Sequence, residues 1–162
     1  TSQARVDDVL TGLVATLEGL ALQLINTQQS PASAMAQWLV EKEAPHNFTV
    51  DRECELKACD ESKAVVRYTR HALDTSEICD HIAAGKMPTK LALTWDNRVS
   101  FVLTDAGTIK KIDMLDVVFE EHAAKNHDDN FDADVAIFTG TFAMVINDLF
   151  DALGGEVQLE KA

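Results

Sequence analysis

The chain has 162 residues and 17.8 kDa, room for one ordinary domain or two small ones around a shared core. With 46% apolar and 25% charged residues and a mean hydropathy of −0.07, it is neither disordered nor fibrous, and no apolar run approaches the ~20 residues of a membrane span. A formal charge of −13 argues on average against nucleic acid, and an odd set of cysteines (Cys54, Cys59, Cys79) argues against a disulfide framework and for a reducing, cytoplasmic setting.

The chain opens at Thr1 straight into an amphipathic pattern with no secretory signal, and reads as a fragment of something longer. Val6, Val9, Leu10, Leu13, Val14 and Leu17 recur at helical spacing before Gly19, which predicts a helix over 2–18. LALQLI (20–25) reads as a short strand. Ser30-Pro31 supplies an N-cap and a proline at the first helical position, and Met35, Trp38 and Leu39 give the next helix its apolar stripe, ending near Lys42. Phe48, Val50, Cys54, Leu56 and Ala58 fall on even positions and Thr49, Asp51, Glu53, Glu55 and Lys57 on odd, the period of a half-buried strand. A turn at 59–62 leads to a returning strand, AVVRYTR (64–70).

Asp74 is placed to cap a third helix, with Glu77 completing a capping box and Gly85 closing it. The strongest β signal is 90–111, where Leu91, Leu93, Trp95, Val99, Phe101 and Leu103 share one parity. A two-residue loop would put the two apolar sets on opposite faces, so a three-residue loop at 96–98 is expected, pairing Trp95 with Val99. Asp105-Ala106-Gly107 fits a second such loop, with Leu103 opposite Ile109 and Thr104 opposite Thr108. Asp113 is a candidate cap for a helix bearing Leu115, Val118 and Phe119. Residues 126–134 form an acidic loop, VAIF (135–138) a last strand, and a final helix runs from 139 to 153.

The expected fold class is α+β, with antiparallel β-meander sheets packed against amphipathic helices. Residues 1–45 read as a helix-strand-helix portion continuing a domain whose first half is absent. Residues 46–162 read as an α+β domain containing the meander (90–112) and the C-terminal helix.

Motifs for nucleotide hydrolysis, dinucleotide binding and the serine-hydrolase elbow are missing, so no catalytic residue and no cofactor is expected. Cys54, Cys59, Cys79 and His81 have spacings of no strong zinc pattern. Asp128, Asn130, Asp132 and Asp134 mimic the start of a calcium loop, but Ala133 and Thr139 stand where glycine and glutamate are needed. Trp95 and Phe101 fall with the leucines and are assigned to the core rather than to base stacking.

The charge is unevenly distributed. Net charges over 1–51, 52–111 and 112–162 are −4, +1 and −10, and ten of the fourteen cations lie in the middle third. The meander's polar face, with Lys90, Thr94, Ser100, Thr104, Thr108 and Lys110, reads as cationic and free of carboxylates. It is either a solvated surface or a surface for a polyanion.

The string HIAAGKMPTKLALTWDNRVSFVLTDAGTIKK (81–111) resembles the RdgC family of bacterial recombination-associated proteins. The resemblance rests on Gly85-Lys86, Thr89 to Leu93 followed by Trp95 and Arg98, and Asp105-x-Gly107 leading to Lys110-Lys111. It continues through Phe131-Asp132-Ala133-Asp134, Thr139-Gly140 and Leu153-Gly154-Gly155-Glu156, and weakly back to Trp38-Leu39 and Val65-Val66-Arg67. The chain is thus similar to the C-terminal half of the family.

The resemblance implies a non-enzymatic, nucleoid-associated, sequence-independent binder of duplex DNA, with single-stranded DNA a second candidate. It implies a homodimeric ring around the duplex that restrains RecA-mediated recombination, with no membrane partner. By position, Arg67, Arg70, Lys86, Lys90, Arg98, Lys110 and Lys111 match basic positions of the family and are the candidate DNA contacts. Here Tyr68, Thr69 and His71 dilute the charge after Arg67, and 113–130 is unusually acidic. The alternative is a protein-interaction or dimerisation module whose DNA surface lies in the other half.

Overall fold

The computed structural model describes residues 3–23, 25–118 and 131–157. Helix α1 spans Gln3–Thr16 and α2 spans Pro31–Glu41, followed by strands β1 (Phe48–Ala58) and β2 (Val65–Thr69). Then come α3 (Ser76–Ala83), β3 (Lys86–Trp95), β4 (Val99–Thr104), β5 (Ile109–Met114) and α4 (Phe131–Ala152). The class is α+β.

The strands form one five-stranded antiparallel sheet in the order β2-β1-β3-β4-β5. The β1–β2 hairpin and the β3–β5 meander therefore belong to one sheet, joined where β1 pairs with β3 from Phe48↔Trp95 to Ala58↔Lys86. Local periodicity defines each strand but carries no information on that non-local pairing. The joint is irregular, with register shifts between Val50 and Cys54 and between Glu55 and Leu56. Such bulges bend a strand and increase its twist.

Both meander loops follow the apolar parity. Trp95 pairs with Val99 across 96–98, where Asp96 and Asn97 take φ of 46° and 52° and the Arg98 N–H donates to the Trp95 carbonyl at 2.8 Å. Leu103 pairs with Ile109, the Thr104 N–H donates to the Thr108 carbonyl, and Gly107 supplies the left-handed residue at φ 72°. One sheet face thus presents Leu91, Leu93, Trp95, Val99, Phe101 and Leu103, together with Cys54, Leu56 and Tyr68, to the helices, and all are buried.

Helix α2 starts where Ser30 Oγ accepts from the Ser33 N–H at 3.2 Å and ends at Lys42 in the left-handed region, φ 57°. Its stripe of Ala34, Met35, Trp38 and Leu39 enters the same core. For α3 the cap is Thr75 rather than Asp74, with extended dihedrals and no side-chain cap bond; the Thr75 hydroxyl is buried without a partner.

Three local expectations are corrected. Of the strand expected over 20–25, residues 20–23 and 25 form none, because no neighbouring strand among the described residues accepts them, and Leu24 lies outside those residues; the nearby pairing is a single bridge, Thr27↔Glu156. VAIF (135–138) belongs to α4, which begins at Phe131, so the expected start at 139 is eight residues late. A four-residue apolar run is ambiguous between strand and helix, and here it continues the 3.6-residue stripe through Thr141, Val145 and Leu149. Asp113 lies within β5, and only residues 116–118 of the helix expected after it are described as helical; Phe119 and most of the acidic loop, 126–130, lie outside the described residues.

Helix α4 is long and apolar enough to cross a bilayer by length and composition alone, but its Thr141, Val145 and Leu149 are buried against the rest of the fold. Helix α1, by contrast, leaves Val6, Val9, Leu10, Leu13 and Val14 exposed.

Candidate nucleic-acid interface

The sheet face opposite the main core follows from alternation. Since Cys54 and Leu56 point to the helices, Glu53 and Glu55 point the other way, and cross-strand partners share a face. Arg67 lies opposite Glu55, Lys90 opposite both Glu55 and Thr104, Lys110 opposite Val102, and Ser100 opposite Asp113. Four of the candidate cations, Arg67, Lys90, Lys110 and Lys111, are thereby gathered from three strands.

The carboxylate-free character expected of this face is corrected by β1. Arg67 Nε donates to Glu55 Oε2 at 2.6 Å and Lys90 Nζ to the same oxygen at 3.0 Å, while Thr89 Oγ1 donates to Oε1 at 2.8 Å. Lys111 Nζ reaches Glu53 at 2.7 and 2.9 Å, and Thr94 Oγ1 donates to Asp51 Oδ2 at 2.8 Å. With Asp113, four carboxylates stand among the four cations. The meander alone has a cationic face; pairing of β1 with β3 supplies the counter-charges.

Glu55 is the most strongly held of these carboxylates, with a side chain only 14% exposed. The Arg67 hydrogen bond, joined by those of Lys90 and Thr89 and opposed by partial burial, holds its carboxyl down at about 2. The fold therefore favours its ionised form. Arg67 donates to it through Nε, and the arginine side chain is 70% exposed. Lys110 is exposed and makes no ion pair among the described residues.

The other candidates lie elsewhere. Lys86 is at the opposite end of β3, where its Nζ sits 2.9 Å from Nδ1 of His81 on α3. Arg98 is in the β3–β4 loop, its Nε 3.2 Å from Asp96 Oδ2, beside a depression lined by Trp95, Met144, Asn147 and Asp148. Arg70 follows β2 in the left-handed region, φ 56°. Lys86 and Arg98 are thus held apart from the four-cation face. Asp51, Glu53 and Glu55 are the residues sequence reasoning missed there; their odd parity on β1 placed them off the core side, but not beside Lys90.

Trp95 and Phe101 are buried, 5% and 2% exposed, as their parity requires. The Trp95 indole N–H donates to Asp148 Oδ2 at 2.7 Å, and Asn47 Nδ2 donates to the same oxygen at 2.8 Å. These two bonds, Asn47 first, lower the Asp148 carboxyl below its usual range and tie α4 to the loop end of the sheet. Cys54 is buried, and desolvation, helped by the Glu55 charge, pushes its thiol up to about 12. Cys59 is exposed in the β1–β2 turn. Among the described residues no group of three or more His, Cys, Asp or Glu side chains is placed to hold an ion. Of the calcium-like run, Asp132 and Asp134 sit in the first turn of α4, and Asp128 and Asn130 lie outside the described residues.

The family model described as "Putative exonuclease, RdgC" matches residues 1–156. A protein named recombination-associated protein RdgC from Dechloromonas aromatica (strain RCB) is 48% identical over 161 residues, covering 96% of this chain and 53% of its own length. Proteins of the same name from Janthinobacterium sp. (strain Marseille) and Bordetella pertussis are 45% and 43% identical over 159 and 157 residues, covering 97% and 96% of this chain and 53% and 52% of their own lengths. The chain spans about half the length of these curated relatives. A match along nearly the whole sequence, through both meander loops and the final helix, makes this chain a member of the RdgC family.

Proposed function

We propose that this chain is part of a recombination-associated protein that binds duplex DNA without sequence preference and without chemistry, as a homodimeric ring that restrains RecA. The relatives' shared name supports the association with recombination. The observation that carries DNA binding is the convergence of Arg67, Lys90, Lys110 and Lys111 on one sheet face, with Lys110 and most of the Arg67 side chain exposed. Lys and Arg that neutralise phosphates release condensed counterions, giving steep salt dependence and no base preference. The balancing carboxylates make each contact weaker than the count of cations suggests.

Fluorescence anisotropy of the intact protein with two unrelated labelled duplexes, at two salt concentrations, tests this. Lys110→Glu should weaken both duplexes equally and flatten the dependence of log K on log salt by about 1, the share of one phosphate contact. Equal affinity of wild type and variant would remove β5 from the interface.

The exposed apolar residues of α1 favour a second reading, an interaction module for assembly. A chain that is dimeric by analytical ultracentrifugation yet indifferent to duplex at low salt would favour it.

A further inference from the structure

The Glu55 carboxylate has the surroundings of a bound phosphate. It takes charge-assisted bonds from a guanidinium and an ammonium and a third bond from a hydroxyl, the donor set that proteins present to a DNA backbone oxygen. It is nearly enclosed, whereas the arginine holding it is mostly in solvent. Glu53 repeats the arrangement on a smaller scale, accepting two contacts from Lys111.

We propose that Glu55 is an internal stand-in for a DNA phosphate, occupying the anion site built by Arg67, Lys90 and Thr89, so that duplex binding at this face proceeds by exchange of carboxylate for phosphate. The inference rests on the duplex-binding reading above and deepens it by naming the residue that sets the strength of the contact. A carboxylate left beside an incoming phosphate repels it, and the two cations cannot serve both anions fully. Glu55 thereby keeps the face weakly binding, which suits a protein that must slide on and leave DNA of any sequence.

An opposite role is available to the same geometry, in which Glu55 merely aims Arg67 and Lys90 outward. Glu55→Gln separates the two by sign, because glutamine keeps an oxygen that accepts from Arg67 Nε but gives up the charge. Stand-in behaviour makes the variant bind a labelled duplex about 10-fold more tightly at ~0.1 M salt, a difference of about 1.4 kcal/mol, and steepens the salt slope by about 1. An aiming role leaves affinity unchanged or lowers it.

The intact wild-type protein, Glu55→Gln, Lys110→Glu and Glu61→Gln are compared by anisotropy. Glu61, exposed in the β1–β2 turn, controls for net charge alone and should stay within about twofold of wild type. Tighter binding by Glu55→Gln than by Glu61→Gln, with the steeper slope, supports the proposal. If Lys110→Glu weakens binding while Glu55→Gln matches Glu61→Gln or binds less tightly, the stand-in is refuted and the duplex-binding face survives. If Lys110→Glu and Glu55→Gln both leave affinity untouched, the face itself is wrong and the proposal falls with it.

Discussion

Replacing Glu55 by glutamine should cost stability in a way that depends on pH, and the structure gives sign and size. In the fold its carboxyl is held at about 2 against an ordinary value of 4.5, so the folded state favours the ionised form. A depressed carboxyl contributes its full stabilisation above about 4.5 and loses it as pH falls toward 2. The difference corresponds to about 3 kcal/mol, and because Arg67 is 70% exposed, solvent screening reduces the usable part to about 1.5 kcal/mol.

Urea unfolding of wild type and Glu55→Gln at pH 7, 4 and 3 reads this directly. The variant should be less stable by about 1.5 kcal/mol at pH 7, slightly less so at pH 4, and by under half that amount at pH 3. A deficit constant across the series would mean that the loss comes from packing or from a neutral hydrogen bond, and the ion-pair account of this cluster would be refuted. A gain in stability at pH 7 would show that burying the charge costs more than its three partners return.

Other substitutions test the scaffold. Leu93→Ala, at a fully buried position, should destabilise by about 3 kcal/mol in the same urea assay. Trp95→Phe removes a donor from Asp148 and puts a smaller ring in a buried site; the hydrogen-bond share of the loss should be about 1.5 kcal/mol at neutral pH and should begin to shrink once pH falls below the ordinary carboxylate range, because the fold holds Asp148 ionised while the unfolded chain protonates, which thermal melts at pH 7 and 3 can compare. Gly107→Ala should cost about 1 kcal/mol, all of it from the backbone at φ 72°, since the added methyl would meet Pro31 Cγ at an ordinary 3.7 Å. A neutral result at Gly107 in urea unfolding would mean that the turn relaxes.

Much of the fold was legible because its determinants are local. Ser30 before Pro31 states a helix start in two residues, and the parity of Trp95 and Val99 admits only an odd loop between them, so cap and register both follow. LALQLI and VAIF show the limit: a short apolar run acquires strand character only when a neighbouring strand receives it, or helix character when the stripe continues, and neither condition lies inside the run. The counter-charges of the candidate site were hidden for a related reason. The positions of Lys90 and Lys110 on the sheet were readable, but their electrostatic setting depends on Glu53 and on Glu55, 35 residues before Lys90, which β1 brings in by pairing across the topology.

Among the described residues the sheet is open, and β2 and β5 each leave one row of backbone groups without a strand alongside. Such rims invite a second chain to add itself as another strand. Here β2 is five residues long, with Arg67 on it and Lys63 and Arg70 at its ends, and β5 carries two lysines and is kinked by Lys111 at φ 50°. Short, charged and bent rims discourage runaway stacking, so copies brought close together gain little by joining sheet to sheet.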